Sequence, residues 1–299
     1  MRRSFALVAL VALLLGGCLD RAIAGQTIAL VARTTPAIEA DDDPDLVEAA
    51  APAGLLQLEG FYVAYGGDRR LLPLLAQATC GLGAGFVQDH WEEATLAGRA
   101  EDARALAADG RTLLGRCATL ALEWLGPRFA GVLDVDDARA AAMLRGAGRG
   151  DAAMLYWLGT AVAASIGIDA ADQRLTALLP RATAILERAV ALDDGLDHGS
   201  GHVVLGIIYA SRSAAIGGDP ARGKAHLERA LALTGGKLLL AKVMLARFYA
   251  VNTRDQALFE RTIREVLNTP PSVWPEQRLS GELAHRKARR YWKYRKRFF

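Results

Sequence analysis

Apolar positions recur every three or four residues along most of this chain, and the runs are separated by glycine, proline and aspartate. That period predicts a succession of helices. From Leu55 it runs through Phe61 to Tyr65, stops at Gly66-Gly67, then restarts after Asp68 through Leu71, Leu75 and Cys80 and continues past Phe86 to about Leu96. A second long helix is predicted from Glu101 to Trp124. It ends at Gly126-Pro127, because proline lacks the helical amide and disfavours helix in the residue before it. Asp136 to Arg145 reads as a short helix closed by Gly146, and Asp151 as the cap of the apolar segment Met154 to Ile168. Further helices are predicted over 172–193, from His202 to Ser213, from Lys237 to Val251, from Asp255 to Asn268, and from about Pro275 onward. The start at Gly217-Gly218-Asp219-Pro220 is strongly marked. Asp219 can accept from first-turn amides, and Pro220 falls where a missing donor is harmless.

One phrase occurs twice. Ala184-Ile-Leu-Glu-Arg-Ala-Val-Ala-Leu192 returns as Ala225-His-Leu-Glu-Arg-Ala-Leu-Ala-Leu233, displaced by 41 residues and identical at seven of nine positions. A fixed period of this size marks a supersecondary unit that buries its apolar face only by stacking on a neighbour. The expected fold is therefore all-α, built of tetratricopeptide-like antiparallel helix pairs over residues 53–285. About two and a half pairs are expected between 178 and 268. Such arrays are interaction scaffolds.

The chain ends add an address. Arg2 and Arg3 precede the apolar run Phe5 to Leu15, long enough for a signal peptide but short of the roughly 20 residues that cross a bilayer. Leu15-Gly16-Gly17-Cys18 follows and resembles a bacterial lipobox. Residues 1–17 then form a lipoprotein signal, and Cys18 becomes the acylated mature N-terminus, anchored by roughly 0.8 kcal/mol per buried methylene. The alternative is an ordinary signal peptide that contains a cysteine. Leu19 after the cysteine favours the outer over the inner membrane, so the protein is expected at the periplasmic face of the envelope. Residues 18–52, with Pro36, Asp41-Asp42-Asp43-Pro44-Asp45 and Pro52, show no sustained helical period and read as a lipidated tether. No later segment reads as long and uninterrupted enough to span a membrane.

Charge is distributed unevenly. The net +3 conceals eight Lys or Arg and no acid in the basic aromatic tail 286–299, leaving 28 basic against 33 acidic residues before it. Three readings of that tail stand: Arg289, Arg290 and Lys293 meeting anionic lipid with Trp292 at the headgroups, docking to an acidic partner, or a solvated helix end. A periplasmic address removes nucleic acid as a partner. Cys80 and Cys117 could pair in an oxidising compartment, but both lie in Ala/Leu-rich helical stretches where free cysteine packs as a small apolar residue, which favours the unbonded form.

The stretches Cys80-Gly-Leu-Gly-Ala-Gly-Phe-Val-Gln-Asp89, Gly201-His-Val-Val-Leu-Gly-Ile-Ile-Tyr-Ala-Ser-Arg212, Gly217-Gly-Asp-Pro-Ala-Arg-Gly-Lys-Ala-His-Leu-Glu-Arg-Ala230 and Gly235-Gly-Lys-Leu-Leu-Leu-Ala-Lys242 resemble the T component (TatT) associated with tripartite ATP-independent periplasmic (TRAP) transporters. The likeness spans roughly 55 to 290. It implies a periplasmic lipoprotein with cryptic tetratricopeptide repeats, able to form a homotrimer with a central pore or cleft. Such a protein would dock the TRAP-type substrate-binding protein and share its small hydrophobic or carboxylate ligand. A generic scaffold for envelope assembly is the alternative.

Chemistry motifs do not assemble. Gly81, Gly83 and Gly85 alternate as in a dinucleotide loop, but they lie inside a helical pattern with no strand before them, so close helix packing is the better reading. His198 and His202 have metal-ligand spacing, which Gly199-Ser200-Gly201 breaks, and no third ligand is near. Ser200 beside His198 lacks a nucleophile elbow. No cofactor, metal or enzyme activity is expected. Phe86, Trp157, His202, Tyr209 and Tyr249 fall on predicted inner helices as candidates for a ligand or partner groove, each with ordinary core as its alternative.

Overall fold

A computed structural model describes residues 24–214 and 217–299. Within them all regular structure is helical and no strand occurs. The helices are α1 (24–39), α2 (Pro44–Ala64), α3 (Leu72–Cys80), α4 (Gln88–Ala97), α5 (Ala100–Leu125), α6 (Asp137–Arg145), α7 (Ala152–Ile168) and α8 (Gln173–Thr176). They continue with α9 (Leu179–Leu192), α10 (Ser200–Ala210), α11 (Pro220–Leu233), α12 (Leu239–Met244), α13 (Gln256–Asn268) and α14 (Arg278–Lys293). Two π-helical stretches interrupt the array, Gly81–Val87 between α3 and α4 and Leu245–Ala250 after α12.

Neighbours in sequence pair in space. Helix α5 packs on α3, α4 and α7; α7 packs on α9, α10 on α11, and α12 on α13 and α14. This is the helical-repeat domain that the echo implied. The echo's packing role is explicit in two glycines. A Cβ on Gly159 of α7 would lie 2.5 Å from Leu186 Cγ, and one on Gly206 of α10 would lie 2.5 Å from Leu227 Cγ and 3.1 Å from the Gly223 carbonyl. Leu186 and Leu227 are the same position of the repeated phrase, both wholly buried. Each copy thus seats a leucine on a glycine of the helix it packs against, α7 for α9 and α10 for α11, and the absent side chain sets the helix spacing. Gly206→Val is expected to destabilise the fold by about 1–3 kcal/mol through overpacking. Urea unfolding checks this, and an unchanged midpoint would contradict the close approach.

Helix caps agree with the expected starts. Asp219 accepts from the Arg222 amide at 3.0 Å, Asp136 from Arg139 at 2.9 Å and Asp255 from Leu258 at 2.8 Å. Asp151 does not cap α7. Its carboxylate accepts from the Gly148 amide at 2.8 Å and from Arg128 at 2.5 Å, tying the preceding turn instead. Of the alternating glycines only Gly83 packs tightly, a Cβ there meeting Leu113 and Leu114 at 3.2 Å, whereas Gly81 and Gly85 face open space.

Four expectations need correction. The segment expected to lack helix is helical over 24–39, and α2 then begins at Pro44 and runs through Pro52. Asp43 caps α2 by accepting from the Asp45 and Leu46 amides at 3.1 Å. Leu55, Leu58, Phe61 and Tyr62 of α2 pack with Ile28 and Leu75, so tertiary burial outweighs the lost proline hydrogen bond. Cys80 and Cys117 form a disulfide, joining α3 to α5 with Cα atoms 5.4 Å apart. Helical burial of both cysteines is therefore compatible with pairing, because the helices they sit on face each other.

Two runs, Arg69–Ala97 and Arg149–Ile168, do reach span length and apolarity, although none was expected; 72% of the apolar window of the second is buried inside the protein. It is the core helix α7. Finally, 286–299 is not a separate tail. Residues up to Lys293 complete α14, and Phe298 is buried against Phe259 and Tyr291, with ring centroids 5.8 and 6.0 Å away. Arg290 is 6% exposed and grips Asp89 with two hydrogen bonds of 2.8 and 2.6 Å, which leaves its guanidinium no route to a lipid surface. Part of the charge stripe is a face of α14 that meets acids of other helices, with Lys287 and Arg290 reaching Asp89 and Glu92 of α4 and Arg286 reaching Asp45 of α2. Arg289 and Lys293 are exposed, and Trp292 is half-buried between the guanidinium groups of Arg264 and Arg295. Cys18 and the signal segment lie outside the described residues.

Candidate functional site

The richest cluster of polar aromatic groups sits where α9, α10 and α11 meet. The turn into α10 is tight: Asp197, His198 and Gly199 all have positive φ, of 47°, 57° and 82°. Gly199 suits that conformation, and a Cβ there would meet Leu233 at 2.9 Å. The turn places His202 on the first turn of α10 against two partners. Its Nε2 is 2.9 Å from Asp194 Oδ1 and its Nδ1 is 2.8 Å from His226 Nδ1.

A carboxylate only accepts, so His202 donates from Nε2 to Asp194, and a single proton bridges the Nδ1 atoms of His202 and His226. The Tyr209 ring lies parallel to His226 with centroids 5.7 Å apart, and the Arg222 guanidinium lies over the Tyr209 ring, 4.3 Å from its centroid. Tyr209 donates its hydroxyl to Glu187 at 2.5 Å, and Arg222 pairs with the same carboxylate. Arg229 pairs with Asp194. One connected chain of groups results, with Asp194 at one end and Glu187 at the other.

His226 is held neutral. Burial lowers its pKa first, the neighbouring His202 and Arg222 lower it further, Glu187 opposes them, and the value falls to about 4. Burial and the Glu187 carboxylate raise the Tyr209 hydroxyl above its ordinary range. A depressed histidine stabilises the fold fully above its unfolded value near 6.5, and that contribution declines as pH falls from there toward 4. The variant His226→Ile restores the residue of the first copy, since Ile185 is its counterpart. It should lose stability less steeply than the natural chain between those two pH values, as read by melting temperature against pH. Identical slopes would contradict a buried neutral His226.

His226 was missed in the sequence, yet its signal was present: it replaces Ile185, one of only two differences between the repeated phrases. Of the sequence candidates, the structure joins His202 and Tyr209 through His226. Trp157 packs on Tyr156, ring centroids 4.6 Å apart, and on the main core. Phe86 is buried at 6% exposure in the first π-helical stretch, and Tyr249 lies in the second with Lys224 5.7 Å over its ring. His198 packs edge-on against Trp274, with ring centroids 4.8 Å apart. Among the described residues no three His, Cys, Asp or Glu side chains are arranged for a metal.

The rim of the cluster is wet and charged. Side chains of Glu187, Asp194, Arg222 and Arg229 are 35%, 45%, 49% and 50% exposed, surrounding the less accessible Tyr209, His202 and His226. A half-buried aromatic centre with a polar rim is the anatomy of a recognition surface. Comparison with known families decides what kind of protein carries it: the sequence matches the family model described as the TRAP transporter T-component over residues 40–299.

The chain belongs to the TRAP transporter T-component family. Curated proteins yield no match. The T-component match begins just before α2 and runs through all of α14, so the family pattern includes the basic segment after residue 285. In this T component the quoted stretch ending at Asp89 and the basic stretch containing Arg290 are two halves of one buried ion pair.

Proposed function

We propose that this T component is a periplasmic lipoprotein, anchored through Cys18 at the outer membrane in preference to the inner. In this reading it docks the substrate-binding protein of a TRAP-type uptake system. The face that docks is the one bearing Tyr209, His202, His226 and Arg222, and the array works as a homotrimer that shares a small hydrophobic or carboxylate ligand with its partner. The observation that carries the reading is the family match across nearly the whole chain. Supporting it, helical repeats present extended surfaces for protein partners, and the cluster offers tyrosine and arginine, the residue types that dominate such contacts.

A pull-down of tagged, delipidated protein from periplasmic extract, with mass spectrometry of proteins and small molecules, tests the reading. Recovery of a TRAP-type substrate-binding protein supports it. Recovery of envelope assembly proteins with no such receptor would replace it with a general scaffold.

A further inference from the structure

The exposed apolar side chains of this protein are gathered on its first two helices. Among the described residues six large hydrophobic side chains are exposed, and five of them stand on α1 and α2: Leu30, Ile38, Leu46, Leu56 and Val63. Leu56 is 68% exposed and Val63 77%. Seven residues apart, they share one side of α2, and between them Gly60 faces open space. From Leu46 to Ala64 every exposed residue of α2 is uncharged, and Arg33 is the one exposed charged residue of α1. The long helix α5 instead exposes Glu101, Asp102, Arg104 and Asp109. An exposed apolar face of this kind marks a contact surface. We propose that the outer face of α1 and α2 lies on an uncharged lipid bilayer, beside the anchor at Cys18.

The occupant follows from the length of chain before the face, an argument that rests on the proposed acylation of Cys18. Residues 19–23 are all that separate Cys18 from Ala24, the first described residue of α1. Six Cα steps reach at most about 20 Å. Helix α1 is in turn fixed to the body along its length. The Tyr65 hydroxyl donates to Thr27 Oγ1 at 3.1 Å, Ile28 is buried in a cluster with Leu55, Leu71 and Leu75, and Gln277 donates to Glu39 at 2.8 Å. A tether over 18–52 would let the array stand far from the membrane; with α1 docked, the array is held against it. The contact of Tyr65 with Thr27 also sets the end of α2 beside the start of α1. Leu30, Leu56 and Val63 therefore occupy the half of the helix pair nearer the anchor.

The chemistry of the face selects the kind of lipid. Asp41, Asp42, Asp43 and Asp45 at the far turn disfavour anionic headgroups, and Arg33 alone offers the face a cation. Apolar burial at the boundary of headgroups and acyl chains is then the driving force, as for helices that lie in the membrane interface. Stable anchoring takes more than one membrane signal, and the face supplies a second beside the acyl chains. It shares no residue with the Tyr209 cluster, so a protein partner and the bilayer do not compete for the same side chains.

Co-sedimentation of the unacylated mature chain, residues 18–299, with phosphatidylcholine vesicles tests the proposal. The chain should bind at millimolar lipid, and equally at low and high salt, because the contact is not ionic. Leu56→Asp and Val63→Asp should each weaken binding about tenfold by placing a charge in the apolar face. Both side chains are exposed, so these variants should keep the helical circular dichroism of the natural chain. Arg289→Gln on α14 should leave binding unchanged. The proposal is overturned if the chain does not bind the vesicles, if raised salt releases it, or if the two variants bind as the natural chain does. In the last case, an oligomer that Leu56→Asp disperses in sedimentation velocity would assign the face to a second copy of the chain. The mass of the mature N-terminal peptide from cell membranes reads acylation of Cys18 separately, so the anchor and the face can fail independently.

Discussion

Asp89→Ala is expected to destabilise the protein by about 3 kcal/mol, because it removes the bidentate partner of the buried Arg290, which keeps a single hydrogen bond, to Glu92 at 3.2 Å. Asp89 is 1% exposed, and it receives both arms of Arg290 and the Lys287 ammonium, the latter at 2.6 Å. Burial alone would raise this carboxyl, but Arg290 and Lys287 outweigh it and bring the pKa down to about 2. A depressed carboxyl contributes its full stability above the unfolded value near 3.8, and the contribution is lost as pH falls through about 2. Urea unfolding near neutral pH should show the large loss, and acid titration of Asp89→Asn should lack the natural chain's decline in that window. A variant within about 0.5 kcal/mol of the natural protein would mean the pair does not lock α14 to α4.

Reduction of the Cys80–Cys117 disulfide is the second large effect. The bridge closes a loop of sequence separation 37, and chain entropy alone assigns such a loop about 4 kcal/mol. It staples α3 to α5 beside the first π-helical stretch, where the helical hydrogen-bond ladder is already interrupted. The double variant Cys80→Ala, Cys117→Ala should therefore melt well below the oxidised protein. Adding reductant to the oxidised protein should lower its melting point and leave the double variant's unchanged. Equal melting of all three would contradict the staple.

Much of the fold was legible because its signals are local. Asp219-Pro220 and Asp136 announce helix starts through backbone amides a few residues away, and the echoed Leu186 and Leu227 announce a repeated contact with a neighbouring helix. The failures share a different cause. Asp89 and Arg290 are 201 residues apart, so the basic stretch looked like a solvated or membrane-facing tail until its acids were placed opposite it. Pro36 and Pro52 suggested a tether, but α2 is held by Phe61 and Tyr62 packing on other helices, which propensity does not register. The cysteines read as core residues because burial and pairing look alike in one sequence. In the candidate site, His202 and Tyr209 were visible as polar aromatics on apolar helices. Their link, His226, stands at one of the two positions where the repeated phrases differ, and a repeat shows itself through its identities.

The most direct test of the central claim is the affinity of the delipidated T component for a purified TRAP-type substrate-binding protein from the same source, measured for the natural chain and for Arg222→Glu. Arg222 spans the rim of the cluster, over Tyr209 and against Glu187. The account predicts saturable binding that the charge reversal weakens by at least about tenfold, since like-charge juxtaposition at an interface carries a penalty of several kcal/mol. No binding, or binding that Arg222→Glu leaves unchanged, would contradict docking through this face.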